Sequence, residues 1–305
     1  MLQPPKIVHK DKVIIVSPAG HVDVEYVTKT ASILSSWGLQ VEVSENALGK
    51  MGRFSGTVSQ RLNDLQKAMN DREARIILCT RGGYGVIHLL EQLNFSKILE
   101  NPKWLIGFSD ITALHTLFQS NGLMSIHGPM TKDIAEGGND NFAVRSLHSI
   151  LNSEPIIYNI PIAPYYKIQN INRKGYSKGR LFGGNLSVFC GMIGSEILNI
   201  PKNGILFIED IGEEPYKVDR MIHQIKLAGI FDKISGLIVG QFSEYKEDEG
   251  MYNKLYKSIA SVIEGYDFPV CYGFPIGHTK SNYPVVMGKI SELEINENQI
   301  IFKQN

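Results

Sequence analysis

The sequence predicts an α/β protein, with a parallel sheet covered by helices on both faces in its first half and a second domain after it. Short apolar runs alternate with amphipathic helical patterns in the first half, and the second half mixes helical patterns with shorter β-rich runs. Apolar strands that alternate with helices are typical of parallel β-α-β units. A chain of 305 residues is also long enough for two domains of ordinary size.

The elements of the first half follow one another as strand and helix. The predicted strands are KVIIVSPAG, LQVEVSEN, ARIILCT, WLIGFSD and MSIHG. The predicted helices between them are VEYVTKTASILSSWG, SQRLNDLQKAMND, GVIHLLEQL and ITALHTLFQSNG. Because ligands gather beyond the carboxyl ends of parallel strands, the segments VSPAG, TRGGYG and GFSD are the candidate site loops.

The second half begins after a helical pattern, FAVRSLHSILN, and a proline-containing stretch without sustained helical period. We interpret residues 156–178 as a linker that carries edge strands, between an α/β domain at 1–155 and a second domain at 179–305. The second domain contains β-rich runs and helical patterns, in order ILFIED, VDRMIHQIKLAGIFDKI, GLIVGQFS, MYNKLYKSIASVIEGY, PVCYGFPIGH, GKISELEI and QIIFKQ.

The composition narrows the class of ligand. With 31 Lys plus Arg against 31 Asp plus Glu, the chain has no electrostatic footprint for nucleic acid or a membrane surface, so we expect a small-molecule or peptide ligand. The first residues, MLQPPKIVHKDK, contain no signal-peptide pattern and no later run is long enough to span a membrane, which predicts a cytoplasmic protein. Three separated cysteines in apolar contexts predict buried thiols rather than disulfides or a zinc site.

Ser109 lies where an apolar run turns into a helix, in LIGFSDITALHTLF. Ser109 and Asp110 are residue types that cap helix N-termini. The alternative is a nucleophile elbow, in which a tight turn presents the serine oxygen and the next backbone N–H stabilises an oxyanion. Ile111 stands where the usual G-x-S-x-G pattern has its second glycine, so the motif alone leaves both interpretations open.

The segment TRGGYG follows another predicted strand and places Gly82, Gly83 and Gly85 in a turn. Glycine lets backbone N–H groups approach a ligand closely or adopt positive φ. A phosphate cradle, an oxyanion hole and a simple tight turn all fit this pattern. The spacing matches neither common nucleotide-binding glycine motif, so nucleotide binding has weak support.

Glu209 and Asp210 follow the apolar run ILFI, and His278 lies in a glycine-flanked loop after another such run. A carboxylate at a strand end can orient a histidine through its ring N–H, and a loop histidine is available as a general base. Taken singly, such residues are more often structural. Together with Ser109 they supply a nucleophile, a base and an orienting acid.

The combination of GFSD, RGGYG, GGNL, IEDIGEEPYKVDR and GFPIGH, in suitable order along nearly the whole chain, resembles the LD-carboxypeptidase family of serine peptidases. The resemblance implies a sandwiched parallel sheet, a smaller β-rich C-terminal domain and a triad assembled across their interface. It places the catalytic residues at Ser109, Glu209 and His278, and the oxyanion donors at the backbone amides of Gly83 and Asp110.

The resemblance also implies the reaction and its setting. We expect release of the terminal D-alanine from a murein tetrapeptide in cell-wall recycling, with no cofactor, no metal ion and a homodimeric enzyme. Arg81, beside the glycines, is the candidate for the substrate carboxylate, with a purely structural role as its equal alternative.

Two other functions compete with this hypothesis. A peptidase of the microcin-immunity type would cleave a peptidyl-nucleotide amide; such enzymes often carry an aromatic residue in an enlarged loop, whereas Trp37 and Trp104 both lie in the first half. A non-catalytic nucleotide or sugar-phosphate binding protein would use TRGGYG and VSPAG as phosphate loops and leave His278 without a role.

Overall fold

A six-stranded sheet organises the first part of the chain, in the order β11-β5-β4-β3-β1-β2. The computed structural model describes residues 1–162 and 167–305. All neighbours in this sheet are parallel except β11, which is antiparallel to β5. The strands are β1 Lys12–Val16, β2 Gln40–Val43, β3 Ala74–Cys79, β4 Trp104–Gly107, β5 Ser125–His127 and β11 Val285–Met287.

The helices of this part of the chain are α1 Val24–Ser36, α2 Val58–Asn70, α3 Ser96–Glu100, α4 Thr112–Ser120, α5 Thr131–Gly137 and α6 Phe142–Leu151. Every residue of β4 and β5 is buried, and so are nearly all residues of β1 and β3. Since successive side chains of a strand point to opposite faces, both faces of the central sheet are covered. The predicted parallel α/β fold of the first half is therefore confirmed.

A seven-stranded sheet organises the second part, in the order β10-β9-β8-β7-β12-β13-β6. Strands β7 to β10 run parallel, whereas β7, β12, β13 and β6 pair antiparallel. The strands are β6 Ile156–Pro161, β7 Gly175–Asn185, β8 Gly204–Ile211, β9 Ile234–Ser243, β10 Val270–Tyr272, β12 Ile290–Ile295 and β13 Gln299–Gln304. This β-rich region agrees with the predicted fold class.

Three helices accompany this sheet: α7 Leu186–Gly191, α8 Pro215–Leu227 and α9 Leu255–Val262. Helix α8 buries Val218, Ile222 and Ile225, which lie on one helical face. They belong to a hydrophobic core that also contains Leu206 and Leu237 of the strands. This core holds strand β8, which carries Glu209 near its carboxyl end.

The described residues form two units, 1–154 with 280–287 and 155–279 with 288–305. The sequence interpretation placed 280–287 in the second domain; its strand β11 instead pairs with β5. The segment interpreted as a linker, 156–178, begins with edge strand β6, includes a 3-10 turn at Lys167–Ile171 and ends inside β7, while 163–166 lie outside the described residues. The predicted boundaries otherwise stay predictions.

The segment GVIHLLEQL forms two short 3-10 turns, Val86–His88 and Leu90–Gln92, so the prediction of a helix there is wrong. Gly85 enters the first turn with φ of +122°, and a carboxylate from another segment accepts the N–H of Val86. These contacts hold the backbone in a tight turn where the apolar spacing alone favours a helix. The three cysteines are buried free thiols, as predicted.

Candidate active site

The serine turn, residues 107–112, connects β4 to α4. Ser109 has φ of +63° and begins a 3-10 turn, Ser109–Ile111, directly before the helix. A positive φ is unusual for a residue other than glycine and costs on the order of 1–3 kcal/mol, and such strain concentrates at functional sites. The strand, sharp turn and helix have the arrangement of a nucleophile elbow.

The structure does not support the capping interpretation of Ser109. The 3-10 turn and α4 have Phe108 and Ile111 at their N-cap positions, with no side-chain capping hydrogen bond. The carboxylate of Asp110 accepts the N–H of Val86 at 2.9 Å instead. Burial raises the pKa of Asp110, and that hydrogen bond lowers it in part. Asp110 therefore ties the serine turn to the glycine segment.

The glycine loop, residues 81–86, lies against the serine turn. A Cβ atom on Gly82 would stand 2.6 Å from the Cβ of Ser109 and 2.9 Å from its Oγ, so a larger residue cannot occupy this position without displacing the serine. Gly83 and Gly85 have φ of +107° and +122°. Gly83 is exposed, which suits an amide that meets a substrate atom. The close approach of Ser109, and not only the shape of the turn, therefore requires glycine at position 82.

Arg81, the candidate for the substrate carboxylate, is exposed at the start of this loop. Its Nη1 donates to the carbonyl oxygen of His21 at 3.3 Å. This single long hydrogen bond does not explain why an arginine is present, so its substrate role stays a prediction.

Glu209 and His278 form a hydrogen-bonded pair in the second unit. The Nδ1 atom of His278 lies 2.7 Å from Oε2 of Glu209; the side chain of Glu209 is fully buried, and that of His278 is 15% exposed. In the described part of the chain, Oε1 of Glu209 is buried without a hydrogen-bond partner. Burial of a carboxylate with few hydrogen-bond donors costs free energy, and the hydrogen bond to His278 partly compensates this cost.

Glu209 lies within strand β8, near its carboxyl end, where it pairs in register with Asn185 of β7. Opposite it, β9 carries an extra residue, because Ile208 pairs with Val239 but Asp210 pairs with Phe242. Such a bulge bends the strand and redirects side chains near functional sites.

Two glycines make room for the Glu209 side chain. A Cβ on Gly277, which has φ of +117°, would lie 2.7 Å from Oε2 of Glu209. A Cβ on Gly240 would lie 3.2 Å from the Cβ of Glu209 and 2.7 Å from the carbonyl oxygen of Ile276. The backbone N–H of Gln241, in the bulge, donates to that same carbonyl oxygen at 3.0 Å. The bulge therefore anchors the histidine loop, residues 273–278, against the strand.

The carboxylate of Asp210 is hydrogen-bonded to the N-terminal end of α7 and not to His278. Its carboxylate accepts hydrogen bonds from Nδ2 of Asn185 at 2.8 Å and from the N–H of Ser187 at 2.9 Å. Burial, with the nearby charge of Glu209 as a second cause, raises the pKa of Asp210 to about 6. The two neighbouring carboxylates therefore have different roles, and Glu209 is the one that orients a histidine.

His115 of α4 is hydrogen-bonded to the first residue of the serine turn. Its Nε2 lies 2.8 Å from the carbonyl oxygen of Gly107, and its Nδ1 lies 2.8 Å from Oγ of Ser125. Burial lowers the pKa of His115 to about 4. The ring is therefore neutral at pH 7, with Nε2–H donating to Gly107.

Sequence reasoning missed Arg61, a buried residue of α2 whose guanidinium contacts the glycine loop. The signal that could have found it is its position on the apolar stripe of the helix, with Leu65 and Ala68 one and two turns further along. An arginine on such a stripe needs polar partners inside the protein.

Residues 1–162 and 167–305 contain neither a metal-binding cluster nor a membrane-spanning helix. No three His, Cys, Asp or Glu side chains of this part of the chain converge in a way that could hold a metal ion. None of its helices has the length and apolar character needed to cross a bilayer.

Comparison with known proteins identifies the family. The LD-carboxypeptidase N-terminal domain matches residues 13–128, and the C-terminal domain of the same family matches residues 178–293. Murein tetrapeptide carboxypeptidase of Pseudomonas aeruginosa is 28% identical over 292 residues, which cover 93% of this chain and 94% of that protein.

Two further matches extend the comparison. Microcin C7 self-immunity protein MccF of Escherichia coli is 29% identical over 274 residues, covering 81% of this chain and 79% of that protein. The crystal structure of muramoyltetrapeptide carboxypeptidase from Oxalobacter formigenes matches with a TM-score of 0.86 and 27% identity, covering 96% of this chain and 98% of the other. The predicted resemblance is confirmed, and this chain belongs to the LD-carboxypeptidase family of peptidases.

Proposed function

We propose that this protein is a serine LD-carboxypeptidase that releases the terminal D-alanine of a murein tetrapeptide. The observation that carries the proposal is the 2.7 Å hydrogen bond between His278 and the fully buried Glu209. The strained Ser109, at the tip of a strand-turn-helix unit, supplies the matching nucleophile. Family membership supports the peptidase class.

In the proposed mechanism, Ser109 Oγ attacks the carbonyl carbon of the scissile amide. Because Nδ1 of His278 faces Glu209, Nε2 is the atom that takes the hydroxyl proton from Ser109 in this mechanism. Glu209 fixes the tautomer and stabilises the imidazolium that forms. The amides of Gly83 and Asp110 donate to the oxyanion, and loss of one such donor typically costs on the order of 10²-fold or more in rate.

The tetrahedral intermediate then collapses. The bond to the D-alanine nitrogen breaks, and His278 returns its proton to that nitrogen, so D-alanine leaves and the acyl group stays on Ser109. A water molecule gives a proton to His278 and attacks the acyl carbon. Collapse of the second intermediate restores the Ser109 hydroxyl and frees the tripeptide, which balances the reaction as hydrolysis of one amide bond.

The substrate assignment draws on the relatives. The Pseudomonas protein is named for murein tetrapeptide, and its match covers nearly all of both chains. We place the enzyme in the cytoplasm as a homodimer in wall-peptide recycling, and assign Arg81 to the terminal carboxylate because a charged donor compensates a carboxylate that leaves water.

A second candidate function is cleavage of a peptidyl-nucleotide amide. The similarity to MccF, whose name refers to microcin C7 immunity, favours it as the alternative. The same catalytic residues would serve, and only the group beyond the scissile bond would differ.

A substrate panel tests the proposal. The purified protein is incubated with murein tetrapeptide, the pentapeptide ending in D-Ala-D-Ala, the tetrapeptide amidated at its C-terminus and a peptidyl-nucleotide amide, with Ser109→Ala as the blank. We expect trimming of the free tetrapeptide to tripeptide and slow turnover of the others. Efficient cleavage of the amidated peptide would contradict terminal carboxylate recognition, and preference for the nucleotide amide would establish the alternative.

A further inference from the structure

Arg61 is a buried cation that the proposed mechanism does not use. It lies on α2 and is 2% exposed, and its Nη1 donates to the carbonyl oxygens of Pro18 at 2.7 Å and Gly85 at 2.8 Å. Its Nε donates to the carbonyl oxygen of Gly56 at 3.2 Å. Across the described residues, no carboxylate lies within ion-pair distance of it. A buried charge is expensive, so its retention calls for a function.

The peptide bond between Gly85 and Val86 is held at both ends. Its carbonyl oxygen accepts from Arg61 at 2.8 Å, and its N–H donates to Oδ2 of Asp110 at 2.9 Å. The C=O and N–H of a trans peptide point in opposite directions, so the cation and the carboxylate align with the peptide dipole from its two sides. Arg61 and Asp110 are thus coupled through one peptide group rather than by direct contact.

The contacts of the Gly85–Val86 peptide restrict the backbone conformation of the glycine loop. Gly82, Gly83 and Gly85 lose more conformational freedom on ordering than other residues would, so the loop adopts one conformation only if outside contacts hold it. Gly82 contacts Ser109, and Asp110 follows Ser109 directly. A shift at Gly85 would therefore reach both proposed oxyanion donors.

We propose that Arg61 is a positioning residue of the reaction: with Asp110 it clamps the Gly85–Val86 peptide and thereby fixes the Gly83 amide against the serine turn. The inference rests on the proposed function, because that function gives the Gly83 amide its oxyanion. An oxyanion is present only after attack on the carbonyl, so a misplaced donor affects turnover and leaves substrate affinity almost unchanged.

Arg61→Lys is the principal test, because lysine keeps the charge but cannot donate in the three fixed directions of a guanidinium. We expect kcat to fall roughly 10- to 100-fold with KM within about threefold of the original, in a variant that is folded under the assay conditions. Arg75→Lys is the matched control: Arg75 is a partly buried arginine of β3 that contacts Asn101, and we expect unchanged kinetics.

The coupling provides a second readout. Combining Arg61→Lys with Asp110→Asn should lower kcat little beyond the worse single variant, because both hold the same peptide group. Multiplicative losses, a rise in KM alone, or normal kcat in a folded Arg61→Lys would overturn the proposal. Arg61→Gln is the second variant should the lysine variant not fold; failure of both to fold would also overturn it, since Arg61 would then serve the whole unit.

The rate of fluorophosphonate labelling separates this inference from the proposed function. The phosphonyl oxygen of the probe needs the same backbone donors as a peptide oxyanion. If the unaltered enzyme labels at Ser109 but does not trim tetrapeptide, the substrate assignment fails, and the Arg61 variants are still compared by labelling rate. Equal labelling rates for Arg61→Lys and the unaltered enzyme would overturn the positioning role.

Discussion

The serine turn and the glutamate–histidine pair solve the same steric problem in different ways. Each places a glycine against a side chain of the proposed triad, Gly82 against Ser109 and Gly277 against Glu209. In the serine turn Ser109 itself has the positive φ, whereas Glu209 lies within strand β8 and the positive φ belongs to Gly277. The first region is therefore organised by backbone conformation and the second by one hydrogen bond between side chains.

The largest expected effect comes from removing the reacting groups. Ser109→Ala and His278→Ala should lower kcat by on the order of 10⁴-fold or more, and Glu209→Gln by roughly 10³- to 10⁴-fold, since its amide cannot stabilise the imidazolium equally. Steady-state assays, with circular dichroism to confirm folding, provide the measurement. If the three residues act as a unit, as proposed, combined variants should lose little more kcat than the worst single one, and independent losses would contradict the proposed triad.

The two glycines test the comparison directly. Gly82→Ala should lower kcat about 10- to 100-fold by displacing Ser109 while changing the unfolding midpoint less than Gly277→Ala does. Gly277→Ala adds backbone strain on the order of 1–3 kcal/mol to its contact with Glu209, so it should lower both stability and kcat.

Two other glycines serve as controls for these substitutions. Gly191 has open space around its Cβ position, and Gly212 has open space together with φ of +71°. Gly191→Ala should leave kcat unchanged, and Gly212→Ala should reproduce the backbone strain without the loss of activity. If Gly82→Ala keeps full activity, the close approach of the glycine loop to Ser109 has no catalytic importance.

Much of this arrangement could be predicted from the sequence, because the residues that end a strand, form a turn and begin a helix are neighbours in the chain. LIGFSDITALHTLF becomes β4, the serine turn and α4, as its apolar spacing indicates. Ser109, Glu209 and His278 could also be selected as candidates from the residues next to them in the sequence. In the structure, Glu209 and His278 are hydrogen-bonded to each other. Their joint assignment as a triad came from family resemblance rather than from spacing.

Other features depend on contacts that are distant in sequence. The helical pattern of GVIHLLEQL is overridden because Arg61 and Asp110 hold the Gly85–Val86 peptide, and neither residue is close to it in the chain. The pairing of β11 with β5 likewise joins two segments that are far apart in the sequence, and the hydrophobic pattern within either segment does not predict it. A helix-capping serine and a serine in a strained turn also have the same sequence signature, so the sequence alone could not predict the positive φ of Ser109.

A smaller effect should distinguish the regions by pH. The pKa of His115 is about 4 in the folded protein and about 6.5 in an unfolded chain, so the unfolded state binds more protons between these values. The contribution of His115 to stability should therefore rise from pH 4 to pH 6.5, by roughly 3 kcal/mol, and level off above. Asp210, whose folded pKa is raised to about 6, contributes in the opposite sense over much of this range.

Urea unfolding followed by tryptophan fluorescence provides the measurement, because Trp37 and Trp104 both lie in the first unit. His115→Gln should lower the slope of stability against pH in this range by removing the contribution of His115, whereas His223→Gln, at an exposed histidine of α8, should leave the slope unchanged. An unchanged slope in His115→Gln would show that the ring is not held neutral beneath the serine turn.

The smallest expected effect is that of a chelator. The proposed chemistry takes its nucleophile, base and oxyanion donors from Ser109, His278 and backbone amides, so dialysis against EDTA should leave kcat unchanged. Loss of activity with recovery on addition of zinc would assign Glu209 and His278 to a metal site instead.

The central claim is that Ser109 is the nucleophile activated by the Glu209–His278 pair. Intact-mass and peptide mass spectrometry after incubation with a fluorophosphonate probe tests it most directly. We expect one adduct, located on Ser109, which is absent in Ser109→Ala and forms far more slowly in His278→Ala. No adduct on the unaltered protein, or an adduct that persists in Ser109→Ala, would contradict it.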